Sequence, residues 1–334
     1  MVKLSEIIRK TGEEKPQDEP GLISEAAKKK DDVDILGETK KIYEDAIIHL
    51  RPILNEVVRG KTIQGGEIVS IAEVILEQIQ VENDTLLSLI NIFGSLGEKE
   101  DYICSHSINV SILATNLGLA LGYDKSKLVD ICVSSLLHDI GMLKIPIEIR
   151  NKPSKLEKEE FEVIKKHPAL GLDLLNNIRD LPLSAPEIVY QHHERLDGTG
   201  YPEGKRGDEI ADSAKIVAVT EVYEAITHPR FYGKEKQIPY DGVKAIVQKA
   251  GRSFEPKLVK VFLNFITPYP LGSYVLLNNN EIGRIVGINK NLPLRPVVDI
   301  FFDAEGKPPK KSKRVNLAGS PVLHIEKPVD DSRL

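Results

Sequence analysis

Cysteine is scarce in these 334 residues: only Cys104 and Cys132 occur, without CxxC spacing. That excludes a zinc knuckle or a disulfide framework and leaves two buried free thiols in a reducing compartment. Positive charge is not in excess either. A net charge of −5 offers no broad field for coating a phosphate backbone, which argues against DNA or RNA as partners and leaves room for a small anion in a local pocket. No apolar run approaches the roughly 20 residues of a membrane span, and nothing near the N-terminus has a signal peptide's apolar core. The chain therefore reads as cytoplasmic, without a membrane span.

Hydrophobic content of 41% and charged content of 28% are ordinary for a soluble globular protein, and the length allows one large domain and a smaller one. Residues 1–38 are charged and broken by Gly12, Pro16, Pro20, Gly21 and Gly37, the pattern of a flexible segment. From 39 to 99 apolar residues recur at three- and four-residue steps, as in Ala46, Leu50, Leu54 and Val57, and again in Ile68, Ala72, Ile75 and Ile79 after Gly65-Gly66. Two amphipathic helices follow as a lead-in and dimerisation scaffold, with Pro52 expected to kink the first. From 84 to 265 the pattern stays helical with strand-like alternation nearly absent, and residues 100–267 are expected to form the main domain. Two capping boxes, Ser154 to Glu157 and Ser184 to Glu187, are expected to start helices that carry histidines near their far ends. Residues 268–334 change texture. β-prone runs at 273–277, 281–286 and 297–302 predict a small barrel-like domain of about four strands, with a disordered tail and with Lys310, Lys311, Lys313 and Arg314 in a solvated loop. The fold class expected is mainly α: a helical bundle, a helical lead-in and a small C-terminal β domain.

Of eight histidines, His106, His138, His167, His192 and His193 fall at helix ends or beside other candidate ligands. A lone buried His-Asp pair such as His138-Asp139 is most simply a satisfied core histidine. Five histidines converging on one helical domain are hard to keep neutral and satisfied without cations to bind their lone pairs. The donors are nitrogen and carboxylate with no thiolate at ligand spacing, which favours iron or manganese over structural zinc.

His138-Asp139-Ile140-Gly141, followed by His192-His193-Glu194-Arg195-Leu196-Asp197-Gly198-Thr199-Gly200-Tyr201-Pro202, resembles the two signatures of the HD-GYP family, a bacterial branch of the HD-domain metal-dependent phosphohydrolases. Lys166-His167-Pro168 with Gly171, and the stretch around His106, match two further blocks, so the resemblance covers about 100–265. It implies hydrolysis of cyclic di-GMP to pGpG or GMP by a hydroxide held between two divalent metal ions, iron or manganese. It also implies His106, His138, Asp139, His167, His192, His193 and Glu221 as metal ligands, with His138 and Asp139 as the catalytic pair and Asp139 as the bridge. Gly198, Gly200, Tyr201 and Pro202 would shape a loop over the substrate, its glycines allowing close backbone approach, and Arg230 would meet a phosphate or guanine.

The chain departs from the family at several points. Met142 stands where a lysine usually faces the phosphates, with Lys144 two residues on as a substitute. Glu221 replaces an aspartate ligand, one methylene longer, while Glu224, one turn on, suits a surface or supporting position. Tyr102 stands where trinuclear members carry a glutamate, which argues for two ions rather than three. Gly233 replaces a second basic residue, with Lys234 adjacent. Three readings follow: a cyclic di-GMP phosphodiesterase; a catalytically weak receptor for the same nucleotide; and a phosphohydrolase for another cyclic nucleotide. A homodimer through the N-terminal helices and a regulating protein partner are the expected associations.

Overall fold

The computed structural model describes residues 25–93, 102–228, 238–289, 292–309 and 311–329. They form two compact units, one comprising Ala26–Ile238 with Lys244–Val261, the other Pro239–Val243 with Phe262 onward. Among the described residues no helix is long and apolar enough to cross a membrane.

In the helical unit, α1 (Glu25–Val58) begins well before residue 39. Its first turns, Glu25-Ala26-Ala27-Lys28-Lys29-Lys30, are strong helix formers, and a glycine such as Gly37 inside a helix costs only about 1 kcal/mol. Pro52 lies within α1. The buried face of α1 is Tyr43, Ala46, Leu50, Ile53, Leu54 and Val57, and that of α2 (Gly66–Phe93) is Ile68, Ala72, Ile75, Leu76 and Ile79, so both lead-in helices bury the stripe their spacing marks. Between them, β1 (Ile63–Gln64) pairs in parallel with β2 (Ile178–Arg179).

Helix α3 (Tyr102–Ala120) is the centre of this unit, buried on every side from Ile103 to Gly118. Two of its interior polar side chains are satisfied within the helix: Ser111 Oγ donates to the Ile108 carbonyl at 2.8 Å and Asn116 Nδ2 to Ile112 at 2.9 Å. Helix α4 (Lys125–Leu137), capped by Asp124 accepting from the Lys127 amide, leads into His138 and Asp139 and then a 3-10 turn at Ile140–Lys144. Short helices α5 (Ile147–Arg150), α6 (Lys158–Ile164), α7 (His167–Leu175) and α8 (Ala185–Gln191) follow, then the longer α9 (Asp212–Thr227) and α10 (Pro239–Lys249) and the short α11 (Pro256–Phe262).

The two expected capping boxes are replaced. Helix α6 starts three residues later than Ser154 implies, and its reciprocal cap is Glu157 with Glu160. Ser184 does occupy the N-cap of α8, but its hydroxyl turns to the Asp130 carboxylate at 3.5 Å instead of the helix amides. At α8 the competing carboxylate, Asp130, lies 54 residues away, which local spacing does not reveal.

The β unit is a five-stranded antiparallel sheet in the order β6-β5-β4-β3-β7, comprising β3 (Tyr274–Leu277), β4 (Ile282–Gly287), β5 (Val297–Phe302), β6 (Lys313–Asn316) and β7 (Ile325–Val329). Val275, Leu277, Ile285, Val298, Ile300 and Leu317 form its core with Tyr269. The count exceeds four because Lys313 and Arg314 lie in an edge strand, not in the loop their charge suggested. Arg314 forks onto Asp299 (2.6 and 2.8 Å) and Lys313 reaches Glu281 (2.6 Å), and basic side chains on an edge discourage further strand pairing.

Two glycines bring the chemistry-bearing segments together. A Cβ on Gly141 would lie 2.0 Å from the His167 carbonyl oxygen and 2.5 Å from the Gly171 nitrogen, so the turn after Asp139 rests directly on the first turn of α7. A Cβ on Gly171 would come within 2.9 Å of Val189 in α8. Because the neighbours of Gly141 are backbone atoms that cannot swing aside, Gly141→Ala is expected to destabilise the helical unit by about 2–3 kcal/mol. Chemical denaturation followed by helical circular dichroism measures this as a lowered midpoint.

Candidate metal centre

His138 caps the C-terminus of α4, His167 follows the end of α6, and His192 caps α8. The last carbonyls of a helix have no intrahelical amide to accept from. Each of these histidines uses one: Nδ1 of His138 bonds the Ser135 carbonyl at 2.7 Å, His167 that of Ile164 at 2.8 Å, and His192 that of Val189 at 2.8 Å. A carbonyl only accepts, so Nδ1 carries the proton in all three rings and Nε2 presents a lone pair. His106 reaches the same state differently, through a short contact of its Nδ1 with Glu224.

The four Nε2 atoms then meet in two pairs, His106 with His138 at 3.2 Å and His167 with His192 at 3.1 Å. Lone pairs at that distance repel unless a cation sits among them. Asp139 lies between the pairs with its two oxygens divided. Oδ2 faces His106 and His138 (3.6 and 4.0 Å), and Oδ1 faces His167 and His192 (3.2 and 3.9 Å). The ligand atoms fall into two groups, each mutually within 4.8 Å: His106, His138 and Asp139; and Asp139, His167, His192 and His193. Asp139 belongs to both, the arrangement of a bridging carboxylate.

The electrostatics suit a cation. Burial, reinforced by His138 and His167, holds the His192 ring well below its ordinary pKa, so it is a neutral donor. The C-terminal ends of α4, α6 and α8 contribute partial negative charge. Cys104 and Cys132 are buried and free, their thiols pushed up by burial to about 11 and about 12, so neither supplies a thiolate. A site of imidazole and carboxylate donors, with lone pairs turned inward, fits a divalent metal.

The remaining expected residues are distributed as follows. His193 joins the second group and stacks on Tyr201 (4.5 Å between ring centroids, 26°). Glu221 lies outside both groups, its Oε2 3.5 Å from His193 Nδ1. Glu224 is buried, not on the surface, and supports His106. Burial pushes its carboxyl up, and His106, His228 and Asn109 more than reverse this, holding it below the ordinary glutamate range. Tyr102 stacks on His106 at 5.7 Å. Lys144 is not brought to the centre, because its ammonium donates to the Val58 carbonyl at 2.9 Å. Arg230 and Lys234 lie outside the described residues.

The loop after His193 is fixed by side chains to which the sequence reading gave no role. Glu194, buried, accepts from the amides of Glu203 (2.8 Å) and Gly204 (3.1 Å) and so closes the loop. Arg195 donates to the His192 and Glu194 carbonyls, while Asp197 caps Thr199 and pairs with Arg252 at 3.0 Å. Gly198 has φ +76°, and a Cβ there would meet Arg206 at 2.6 Å. On Gly200 it would lie 2.5 Å from the backbone of residues 193–195. The room these glycines provide is filled by the chain's own atoms. Pro202 is exposed. The signal for Glu194 was its place directly after two candidate ligands, where a carboxylate drawn inward with them must find donors.

Matched against family patterns, residues 88–258 fit the HD domain and residues 274–334 fit a KOW domain associated with HD domain. A cyclic di-GMP phosphodiesterase of Pseudomonas aeruginosa is 31% identical over 260 residues, spanning 77% of this chain and 61% of that protein. The cyclic di-GMP phosphodiesterase PdeB of Borreliella burgdorferi is 32% identical over 221 residues, spanning 66% and 58%. The chain thus covers about three fifths of the length of these relatives. A solved HDGYP protein from Bdellovibrio bacteriovorus shares the fold, with a TM-score of 0.50 at 19% identity over 68% of this chain and 69% of that one.

Replacing Glu194 by alanine removes a charged acceptor from two backbone amides, each such bond being worth roughly 1.5–3 kcal/mol. Faster hydrogen exchange at the Glu203 and Gly204 amides, with α3 still protected, is the expected result by mass spectrometry or NMR.

Proposed function

Because the chain belongs to the HD domain family, in its HD-GYP branch, we propose that it is a metal-dependent phosphodiesterase that opens cyclic di-GMP to pGpG or GMP. The observation that carries this reading is the division of the Asp139 oxygens between two facing histidine pairs. His106 and His138 would hold one divalent ion and His167, His192 and His193 a second, with Asp139 common to both. Iron or manganese suits these donors. Two such ions, when bound, neutralise phosphodiester charge and bring the pKa of a coordinated water toward about 7.

The protein's own groups do the rest. His138, His167 and His192, each held by a helix-end carbonyl, keep their lone pairs aimed without reorganising when the ions or the substrate arrive. Tyr201, stacked on His193, offers an aromatic wall at the edge of the centre, on which a guanine base can lie. Glu221, beside His193, serves as an accessory ligand or as an acceptor that orients that ring. In this reading residues 100–267 form the catalytic domain, residues 39–99 a scaffold and residues 268–334 an accessory domain. Exposed Ile48, Val74 and Val81 on α1 and α2 support a homodimer through the lead-in helices, with a protein partner as regulator.

A second reading has a specific observation in its favour. Met142 packs in an apolar cluster with Ile103, Ile145 and Ile164, and Lys144 is engaged at Val58, so neither supplies an ammonium to a phosphate. Loss of a preorganised positive group costs a typical 2.7–4 kcal/mol, or about 100- to 1,000-fold in rate. A slow enzyme or a cyclic di-GMP receptor would result.

Metal analysis of anaerobically purified protein, followed by turnover of cyclic di-GMP with added ferrous iron or manganese, separates these readings. About two ions per chain and formation of pGpG or GMP are expected, both lost in Asp139→Asn. Nucleotide binding without product would favour the receptor, and preferential hydrolysis of a cyclic dinucleotide carrying adenine would redirect the substrate assignment.

A further inference from the structure

Among the four histidines that form the Nε2 pairs, His106 stands apart. The other three lie at helix ends, where an unused carbonyl of their own chain fixes the ring. His106 lies inside α3, where carbonyls accept from the helix's own amides, so its acceptor has to come from elsewhere in the fold. Its Nδ1 meets one oxygen of Glu224 on α9. The other Glu224 oxygen accepts from Asn109 Nδ2 at 2.9 Å, with His228 Nδ1 3.8 Å away. Asn109 Oδ1 in turn accepts the hydroxyl of Tyr43 on α1 at 2.9 Å. Tyr43, Asn109, Glu224 and His106 are all buried, at 5%, 0%, 1% and 1% exposure, so water does not substitute readily for any link.

The direction of every link is determined. The carboxylate can only accept, so Asn109 must turn its NH2 toward Glu224 and its oxygen toward Tyr43, which must then donate. The chain of bonds ends on a His106 ring whose Nδ1 is protonated and whose Nε2 turns its lone pair toward His138 and Asp139.

We infer that Tyr43, Asn109 and Glu224 are positioning residues through which the lead-in helix α1 sets the orientation of His106, and with it metal affinity in the His106–His138–Asp139 half of the centre. The inference rests on the metal-centre reading above and adds to it an asymmetry. In the other half His167 and His192 take their orientation from the Ile164 and Val189 carbonyls. A displacement of α1 would act on His106 through this relay.

The test is a titration of the full-length, metal-stripped chain with manganese alone, comparing wild type, Tyr43→Phe and Leu50→Ala. Tyr43→Phe removes only the hydroxyl. Leu50→Ala loosens the packing of the same helix at a fully buried position outside the relay. Loss of a partner that supports a metal ligand typically weakens binding 10- to 100-fold. About tenfold weakening of one manganese-binding class is expected in Tyr43→Phe, with the second class unchanged and with both classes unchanged in Leu50→Ala. Thermal melting of the metal-free proteins should rank them the other way, Leu50→Ala being the less stable. Unchanged manganese binding in Tyr43→Phe would overturn the relay, as would equal weakening of both classes in both variants. Failure of the wild type to bind manganese at all would instead overturn the metal-centre reading, and the relay with it.

Discussion

The bond from an imidazole Nδ1–H to a carbonyl at the end of a helix is the interaction on which the centre depends. Alone, such a bond contributes only about 1 kcal/mol net. Its larger effect is directional: with the proton committed to Nδ1, the ring must present a lone pair from Nε2. Three helix ends do this at once, at Ser135, Ile164 and Val189, and their His138, His167 and His192 rings converge on Asp139. Convergence in turn requires close packing of the turn after Asp139, α7 and α8, which Gly141 and Gly171 permit. The glycine of the His-Asp motif is therefore a packing residue whose consequence is chemical.

Much of this was legible because the ligands cluster in short segments. His138-Asp139, His167-Pro168 and His192-His193 are conspicuous in sequence, and the structure brings all of them with His106 into two groups sharing Asp139. What was not legible depended on tertiary partners. Lys144 carries the right charge two residues from the expected place, but the 3-10 turn sends its ammonium to Val58. The role of Glu224 could not be fixed by its spacing from Glu221, because His106, more than a hundred residues earlier, decides which carboxylate is drawn inward. At the level of fold, the helical stripes were readable from periodicity, while β6 was hidden because its Lys313 and Arg314 suit an exposed edge as well as a loop.

Met142 illustrates how one substitution links packing to chemistry. Its side chain completes an apolar cluster that includes Ile103 on α3 and Ile164 at the end of α6, and Tyr102, which stacks on His106, packs against the same cluster. A methionine there strengthens the wall of the centre and removes a cation from its chemistry. An ammonium at that position would have to reach out of the cluster or be desolvated within it, so stability and charge at residue 142 are in opposition.

The two ways of fixing a histidine differ in what mutation can do to them. A backbone carbonyl is present whatever side chain its residue carries, so Ser135, Ile164 and Val189 can each be replaced, within the limits of packing, without deleting the acceptor. Glu224 can be deleted by a single codon change, and so can Asn109 and Tyr43. Three of the paired rings are thus insulated against genetic drift in their supporting residues. The fourth is exposed to it, and the His106 side of the centre is where lineages of this chain can diverge without dismantling the rest.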